Sequence, residues 1–238
     1  MVKLCENEKC TGCMACYNAC QKSAISLVTD SLGVLHPEIS ESECVHCGNC
    51  MKVCPVLNPL EKYKPHETFA LYTKNTIDQK TCSSGGVATT LYRKVIERGG
   101  IIIGADIADD GTPYLRCGES ERDIENFKGS KYVYVFPDKI YCEISRYLKE
   151  GRLCLFVGTP CQVDGLRTFL KKEYENLITV DLICHGTPPY SYLKEHIKCL
   201  TKDSSIIPKY TFRGIRDYYL TLCKGENEIY FRKCDEDT

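Results

Sequence analysis

No charge of one sign dominates this 238-residue chain. Its 31 basic and 32 acidic residues leave a formal net charge of −1. That balance excludes the basic excess expected of a nucleic-acid binder or of a protein held on an anionic membrane surface. Long apolar runs are also missing. The longest, such as Ile101-Ile102-Ile103 and Leu153 to Val157, are far too short to span a bilayer. The first residues, MVKLCENEKC, lack the apolar core of a signal peptide, so the expected location is cytoplasmic. Neither G-x-G-x-x-G nor a P-loop occurs, which removes the usual sequence support for NAD or ATP.

Cysteine is what the chain has in excess, with 18 residues. Without an export signal, clustered C-x-x-C spacing favours metal over disulfides. Cys10, Cys13, Cys16 and Cys20 form one C-x2-C-x2-C-x3-C run, and Cys44, Cys47, Cys50 and Cys54 form another, followed by Pro55. Structural zinc needs four ligands from paired C-x-x-C arms, whereas each run here adds a third arm and a C-x3-C return. Such a run wraps three thiolates around one 4Fe–4S cube and sends the fourth to its neighbour. Crossed ligation therefore assigns Cys10, Cys13, Cys16 and Cys54 to one cluster, and Cys44, Cys47, Cys50 and Cys20 to the other. Between the runs lie 23 residues with two strand-like stretches, Ala24 to Thr29 and Gly33 to Ile39. This is the two-fold repeat of a bacterial-type ferredoxin. Gln21 stands where a proline often follows the first run. Cys5 lies outside the spacing and reads as a spare thiol.

Residues 55–66 carry three prolines among charged residues and read as a linker, its core at 59–66. Beyond it, strand and helix signals alternate. Strands are expected at Phe69–Thr73, Ile101–Ala105, Leu153–Val157 and Leu177–Ile183. Helices are expected at Ser84–Arg98, Pro137–Glu150, Cys161–Lys172 and Tyr190–Leu200. The stretch 206–233 reads as β-structure. The expected fold is an α+β ferredoxin-like two-cluster module, residues 1–58, followed by an α/β domain, residues 67–238, with a mixed, partly parallel sheet. The chain stops at FRKCDEDT directly after a strand-like run, which reads as a truncation.

Two apolar strands run into similar loops, Gly158-Thr159-Pro160-Cys161-Gln162 and Cys184-His185-Gly186-Thr187-Pro188. In each, Thr is a natural N-cap and Pro a natural first helical residue. Such helix starts at the carboxyl ends of strands are where open α/β sheets bind ligands, and they lower the pKa of a nearby thiol. Cys161 and Cys184 are each a reactive thiol, a metal ligand or a core residue on this reading. A third loop, Cys82-Ser83-Ser84-Gly85-Gly86, has small residues that let amides approach a phosphate, with a flexible turn as the plain alternative. Lys131 could add a cation to the same ligand, or be an ordinary solvated lysine.

The segments SSGGVATTL, GSKYV, LFVGTPCQVDGLR and DLICHGTPP resemble the coenzyme F-420 hydrogenase/dehydrogenase beta-subunit family. The resemblance runs over essentially the whole chain. It implies an FAD in the α/β domain and a third 4Fe–4S cluster beside it. Ser83, Ser84, Gly85 and Gly86 would face the FAD phosphates. Lys131, Gly158, Thr159, Pro160, Gln162 and His185 would lie near the flavin, with Lys131 and His185 as catalytic candidates. Cys161 and Cys184 would be ligands of the additional cluster, and whether Cys223 or Cys234 joins them stays open. The family passes electrons between a reduced donor, such as a deazaflavin coenzyme or ferredoxin, and an acceptor, often with a partner oxidoreductase subunit. The implied function is a cytoplasmic iron–sulfur flavoprotein oxidoreductase. Two other classes compete: an electron-carrier or partner-docking subunit without its own substrate, and a cysteine-nucleophile enzyme with Cys161 attacking and His185 as base.

Overall fold

The computed structural model describes residues 2–201, 209–213 and 217–233. The first module begins with a 3-10 turn, Asn7–Lys9, and a short helix α1, Ala15–Ala19. Strands β1, Ile25–Thr29, and β2, Leu35–Ile39, form an antiparallel hairpin, and helix α2, Asn49–Lys52, follows. The sequence repeat is also a repeat of backbone conformation. Gly12 and Met14 in the first run have φ of 67° and 60°, and the equivalent His46 and Gly48 have 55° and 71°. Alternating left-handed residues turn successive N–H groups to one side of the loop, a concavity suited to an electron-rich centre. For Met14 and His46 that conformation costs about 1–2 kcal/mol, so the fold imposes it.

Residues 61–72 are exposed and lack regular structure. Helices α3, Thr76–Thr81, and α4, Val87–Ile96, lead into a four-stranded sheet of order β4-β3-β5-β6. Strand β3 is Ile101–Ile107 and β4 is Pro113–Gly118, antiparallel to it. Strands β5, Cys154–Gly158, and β6, Leu177–Asp181, extend the sheet in parallel. The mixed, partly parallel sheet is thus as expected. Helices α5, Glu121–Phe127, α6, Ile140–Lys149, and α7, Pro160–Leu170, complete the layers. Helix α8, Tyr190–Thr201, precedes a separate antiparallel sheet, β7 Lys209–Arg213, β8 Tyr218–Lys224 and β9 Asn227–Lys233. Cys223 lies on β8, and Cys234 lies outside the described residues.

The Ile101–Ile103 run is fully buried because helices cover both faces of the sheet. One face packs Ile102, Leu155 and Val157 under α4 and α5, through Tyr92, Val95, Ile124 and Phe127. The other packs Ile101, Ile103 and Phe156 under α6 and α7, and that core continues into Cys13, Ala15 and Val53 of the first module. The two parts of the chain therefore share one core. Among the described residues no helix is long and apolar enough to cross a membrane.

Several elements depart from expectation. Phe69–Thr73 is not a strand: Thr73 N donates to Gly85 O at 2.7 Å, but no ladder forms around it. The helix expected from Ser84 begins at Val87, because Gly86 takes a left-handed φ of 71°. Thr187 and Pro188 do not start α8, which begins at Tyr190. Instead the Pro188 carbonyl accepts from Tyr134 N at 2.9 Å.

Candidate metal centres and the carboxyl edge of the sheet

Two cavities in the first module are ringed by cysteines. One is lined by Cys10, Cys13, Cys16 and Cys54, together with Cys5, Gly12, Met14 and Pro37. The other is lined by Cys20, Cys44, Cys47 and Cys50, with Val2, Ile25 and Ile39. Each cavity draws three cysteines from one run and the last from the other. The exchange follows from packing. Helices α1 and α2 lie against one another, so each helix carries its terminal cysteine across to the neighbouring cavity. The 17 cysteines among the described residues are unpaired thiols. Among the described residues no three His, Cys, Asp or Glu converge as tightly as a single metal ion requires.

Burial pushes the Cys13 thiol up to about 12 and raises Cys16 further, with the neighbouring cysteines adding to both. Cys50 is raised for the same first reason. Cysteines ligate iron as thiolates, so filling either cavity with a cluster would release their protons. The Ala24 amide donates to Cys20 Sγ at 3.3 Å, the kind of N–H···S contact that tunes a cluster's potential. The donor set, the enclosure and the crossed arrangement all fit 4Fe–4S cubes.

The first cavity is the one that faces the sheet. Tyr141, fully buried on α6, donates to Cys13 O at 2.8 Å and to Gln162 O at 3.0 Å. Tyr134 donates to Gly12 O at 2.7 Å, and Thr168 donates to Val53 O at 2.7 Å. At Gly165 on α7, a Cβ would come within 3.0 Å of Cys13 Cβ and 3.2 Å of its Sγ. The absence of a side chain there lets the cysteine loop lie directly on the helix. The second cavity is lined by residues of the first module alone, and its Cys47 is exposed.

The loops at the carboxyl ends of β5 and β6 meet because Leu182 N donates to Gly158 O at 2.8 Å. This brings Cys161 and Cys184 into each other's field. Burial raises the Cys161 pKa first, the Thr159 hydroxyl at 3.2 Å lowers it, and the neighbouring Cys184 raises it again. Cys161 also acts on Cys13, so the pair adjoins the first cavity. Cys184 and His185 are exposed.

The remaining candidate residues are largely committed to their own chain. Ser83 Oγ accepts from Ser130 N at 2.7 Å, joining the 82–86 loop to the 129–131 loop. A Cβ on Gly85 would sit 2.6 Å from Leu71 O, and one on Gly86 would sit 2.7 Å from Thr73 Cγ2. Their small size is therefore required by the chain crossing at 71–73. The Lys131 ammonium donates to Asn126 O, Phe127 O and Lys128 O at 3.2, 3.4 and 2.9 Å, capping the C-terminus of α5. Burial lowers its pKa to about 8, against an upward pull from Asp106. Gln162 is buried: its Oε1 accepts from Thr159 N at 3.0 Å and its Nε2 donates to Val135 O at 3.1 Å. Thr159 and Pro160 stand at the start of α7, where main-chain amides carry the local positive potential, while Ser84 lies in the irregular loop before Gly86.

The residue missed from sequence is Cys5. Its thiol lines the first cavity with Cys10 and Cys54, and burial, reinforced by those two cysteines, pushes it up to about 12. No spacing rule signals it, because a 3-10 turn rather than the run brings it in.

Comparison with known proteins divides along the same lines. Residues 9–58 match the 4Fe-4S dicluster domain family, and residues 151–236 match the C terminus of the coenzyme F420 hydrogenase/dehydrogenase beta subunit. An uncharacterised protein of Methanocaldococcus jannaschii is 25% identical over 236 residues. That alignment covers 83% of this chain and 64% of the relative's length. Among solved structures, the xenon-derivatised F420-reducing [NiFe] hydrogenase complex of Methanosarcina barkeri aligns with a TM-score of 0.48 and 18% identity, over 69% of this chain and 59% of that one.

Proposed function

We propose that this chain, which joins a 4Fe-4S dicluster domain to the C-terminal region of coenzyme F420 hydrogenase/dehydrogenase beta subunits, is an iron–sulfur electron-transfer subunit of an oxidoreductase. The observation that carries the reading is the pair of cysteine-ringed cavities with exchanged fourth cysteines. Cys10, Cys13, Cys16 and Cys54 hold the inner cluster, and Cys20, Cys44, Cys47 and Cys50 the outer one. Bound there, 4Fe–4S clusters supply one-electron transfer, and an FAD would supply the exchange between hydride and single-electron chemistry. The protein's part is to enclose the inner site against α7 and leave the outer one at the surface, where Cys47 can face a redox partner. Cys161 and Cys184, adjoining the inner site, are two of the four thiols a further cube needs.

FAD is the finer part of the proposal. In its favour, the starts of α4 and α7 and the exposed His185 gather at the carboxyl edge of the sheet, a usual place for a cofactor. The donor would be a reduced deazaflavin, ferredoxin or similar molecule, met in the cytoplasm and with a partner subunit. A second reading, a carrier or docking subunit without its own substrate, is favoured by the internal bonds of Ser83, Lys131 and Gln162. Anaerobic purification decides both points. The expected protein holds about eight iron and eight labile sulfide, and an oxidised-flavin absorbance band separates the oxidoreductase from the carrier. Stoichiometric zinc without labile sulfide would overturn the iron–sulfur reading.

A further inference from the structure

We infer that Cys5 is a fifth thiol of the inner cluster, able to take over an iron from Cys10 or Cys54. The inference rests on the iron–sulfur reading above. Its basis is the asymmetry of the repeat. Five residues before the first cysteine of each run stands Cys5 in one case and Ile39 in the other. Both line the cavity of their own site. The outer site therefore has an apolar wall residue where the inner site has a thiol.

The backbone explains how Cys5 gets there. Lys9 N and Cys10 N both donate to Glu6 O at 3.0 Å, and the Asn7–Lys9 turn doubles the chain back on itself. Val2 and Leu4 pack against the cluster of Cys16, Ile25 and Cys50, which pins the segment on its other side. Cys5 is left lining the inner cavity beside Cys10 and Cys54, whose fields act on its thiol. Exchange conserves atoms and electrons. The Fe–Sγ bond to Cys10 breaks, an Fe–Sγ bond to Cys5 forms, and the proton leaving Cys5 goes to the released Cys10 thiolate. The same exchange with Cys54 is equally balanced.

The test counts metal in the anaerobically reconstituted full chain and needs no activity. Wild type and Cys5→Ala are expected to hold about eight iron each, by two cubes. Cys10→Ala and Cys54→Ala are expected to keep about eight, because Cys5 replaces the lost ligand. Cys5→Ala/Cys10→Ala is expected to fall to about four, as is Cys13→Ala whether or not Cys5 is present. The four outer iron report that each variant is folded. Cys10→Ala and Cys54→Ala proteins that drop to four iron or fewer with Cys5 in place overturn the proposal. A wild type without iron would instead overturn the reading beneath it.

Discussion

Asp123 shows how one carboxylate ties a helix to a sheet. It sits in the first turn of α5, where its Oδ2 accepts from the Ser120 hydroxyl at 2.6 Å and from Glu119 N and Ser120 N at 3.0 Å each. Its Oδ1 accepts from Arg116 of β4 at 2.7 Å, and Arg116 also pairs with Asp106 at 2.6 Å. Burial alone would raise the Asp123 pKa, but Ser120 and Arg116 outweigh it and bring the carboxyl down to about 2. A depressed carboxylate pKa gives stability that is complete above the ordinary value of 3.8 and disappears as pH falls toward 2. Asp123→Asn should therefore cost about 1–2 kcal/mol at neutral pH, in the range of a lost cap and ion pair. Urea midpoints of the two proteins should converge as pH drops below 4, the window set by that shift. A gap that stays constant with pH would mean the contribution is packing and not charge. At this scale the sequence spoke clearly only where spacing has a rule. Eight of the nine cysteines around the two cavities were legible because C-x-x-C spacing is itself the chemistry. Cys5 and Asp123 were not, because each depends on a turn whose closure the local sequence does not announce.

At the level of elements, the legible pieces were those whose apolar pattern is uninterrupted. Strands β3 and β5, buried on both faces, read as plain runs, and Gly99-Gly100 marked the end of α4. Strand β4 was missed because PYLRCG begins with proline, ends with glycine and carries a half-buried arginine that looks polar until its two carboxylates are seen. The two Gly-Thr-Pro loops looked alike and fold differently. The first caps α7 with Gln162 three residues on, while the second has Tyr190 there and gives its Pro188 carbonyl to Tyr134. The glycine loop before α4 is open in sequence to a phosphate cradle or a flexible turn, and in the fold Leu71 O occupies the space a side chain on Gly85 would need, at 2.6 Å. A backbone oxygen cannot swing aside as a side chain can. Gly85→Val should therefore lower the melting temperature of flavin-free protein by several degrees, the effect of about 1–3 kcal/mol of overpacking. An unchanged melting curve, with FAD binding alone lost, would return the loop to a cradle whose size serves the ligand.

At the level of the whole molecule, the cysteine module and the α/β region are coupled through one core, and that coupling fixes which cluster is the inner one. The contact is built from main-chain acceptors of the module, Gly12, Cys13, Tyr17 and Val53, each held by a side chain of the larger region: Tyr134, Tyr141, Lys139 and Thr168. Lys139 also lies 3.4 Å over the Tyr17 ring. None of this was visible in sequence, because it joins residues more than a hundred positions apart with no covarying pattern in a single chain. At its centre Gly165 leaves room for Cys13, and a Cβ there would also meet the Tyr141 hydroxyl at 3.0 Å. Gly165→Val should push Cys13 off α7 and open the inner site, while the hairpin and the outer cysteines, which do not touch α7 at this point, keep their form. The expected protein holds about four iron instead of eight after anaerobic reconstitution, with labile sulfide reduced in proportion. If the variant instead keeps its full iron, the inner site does not depend on α7. The module would then be an independent carrier resting on the sheet, and electrons would have no built route from one part of the chain to the other.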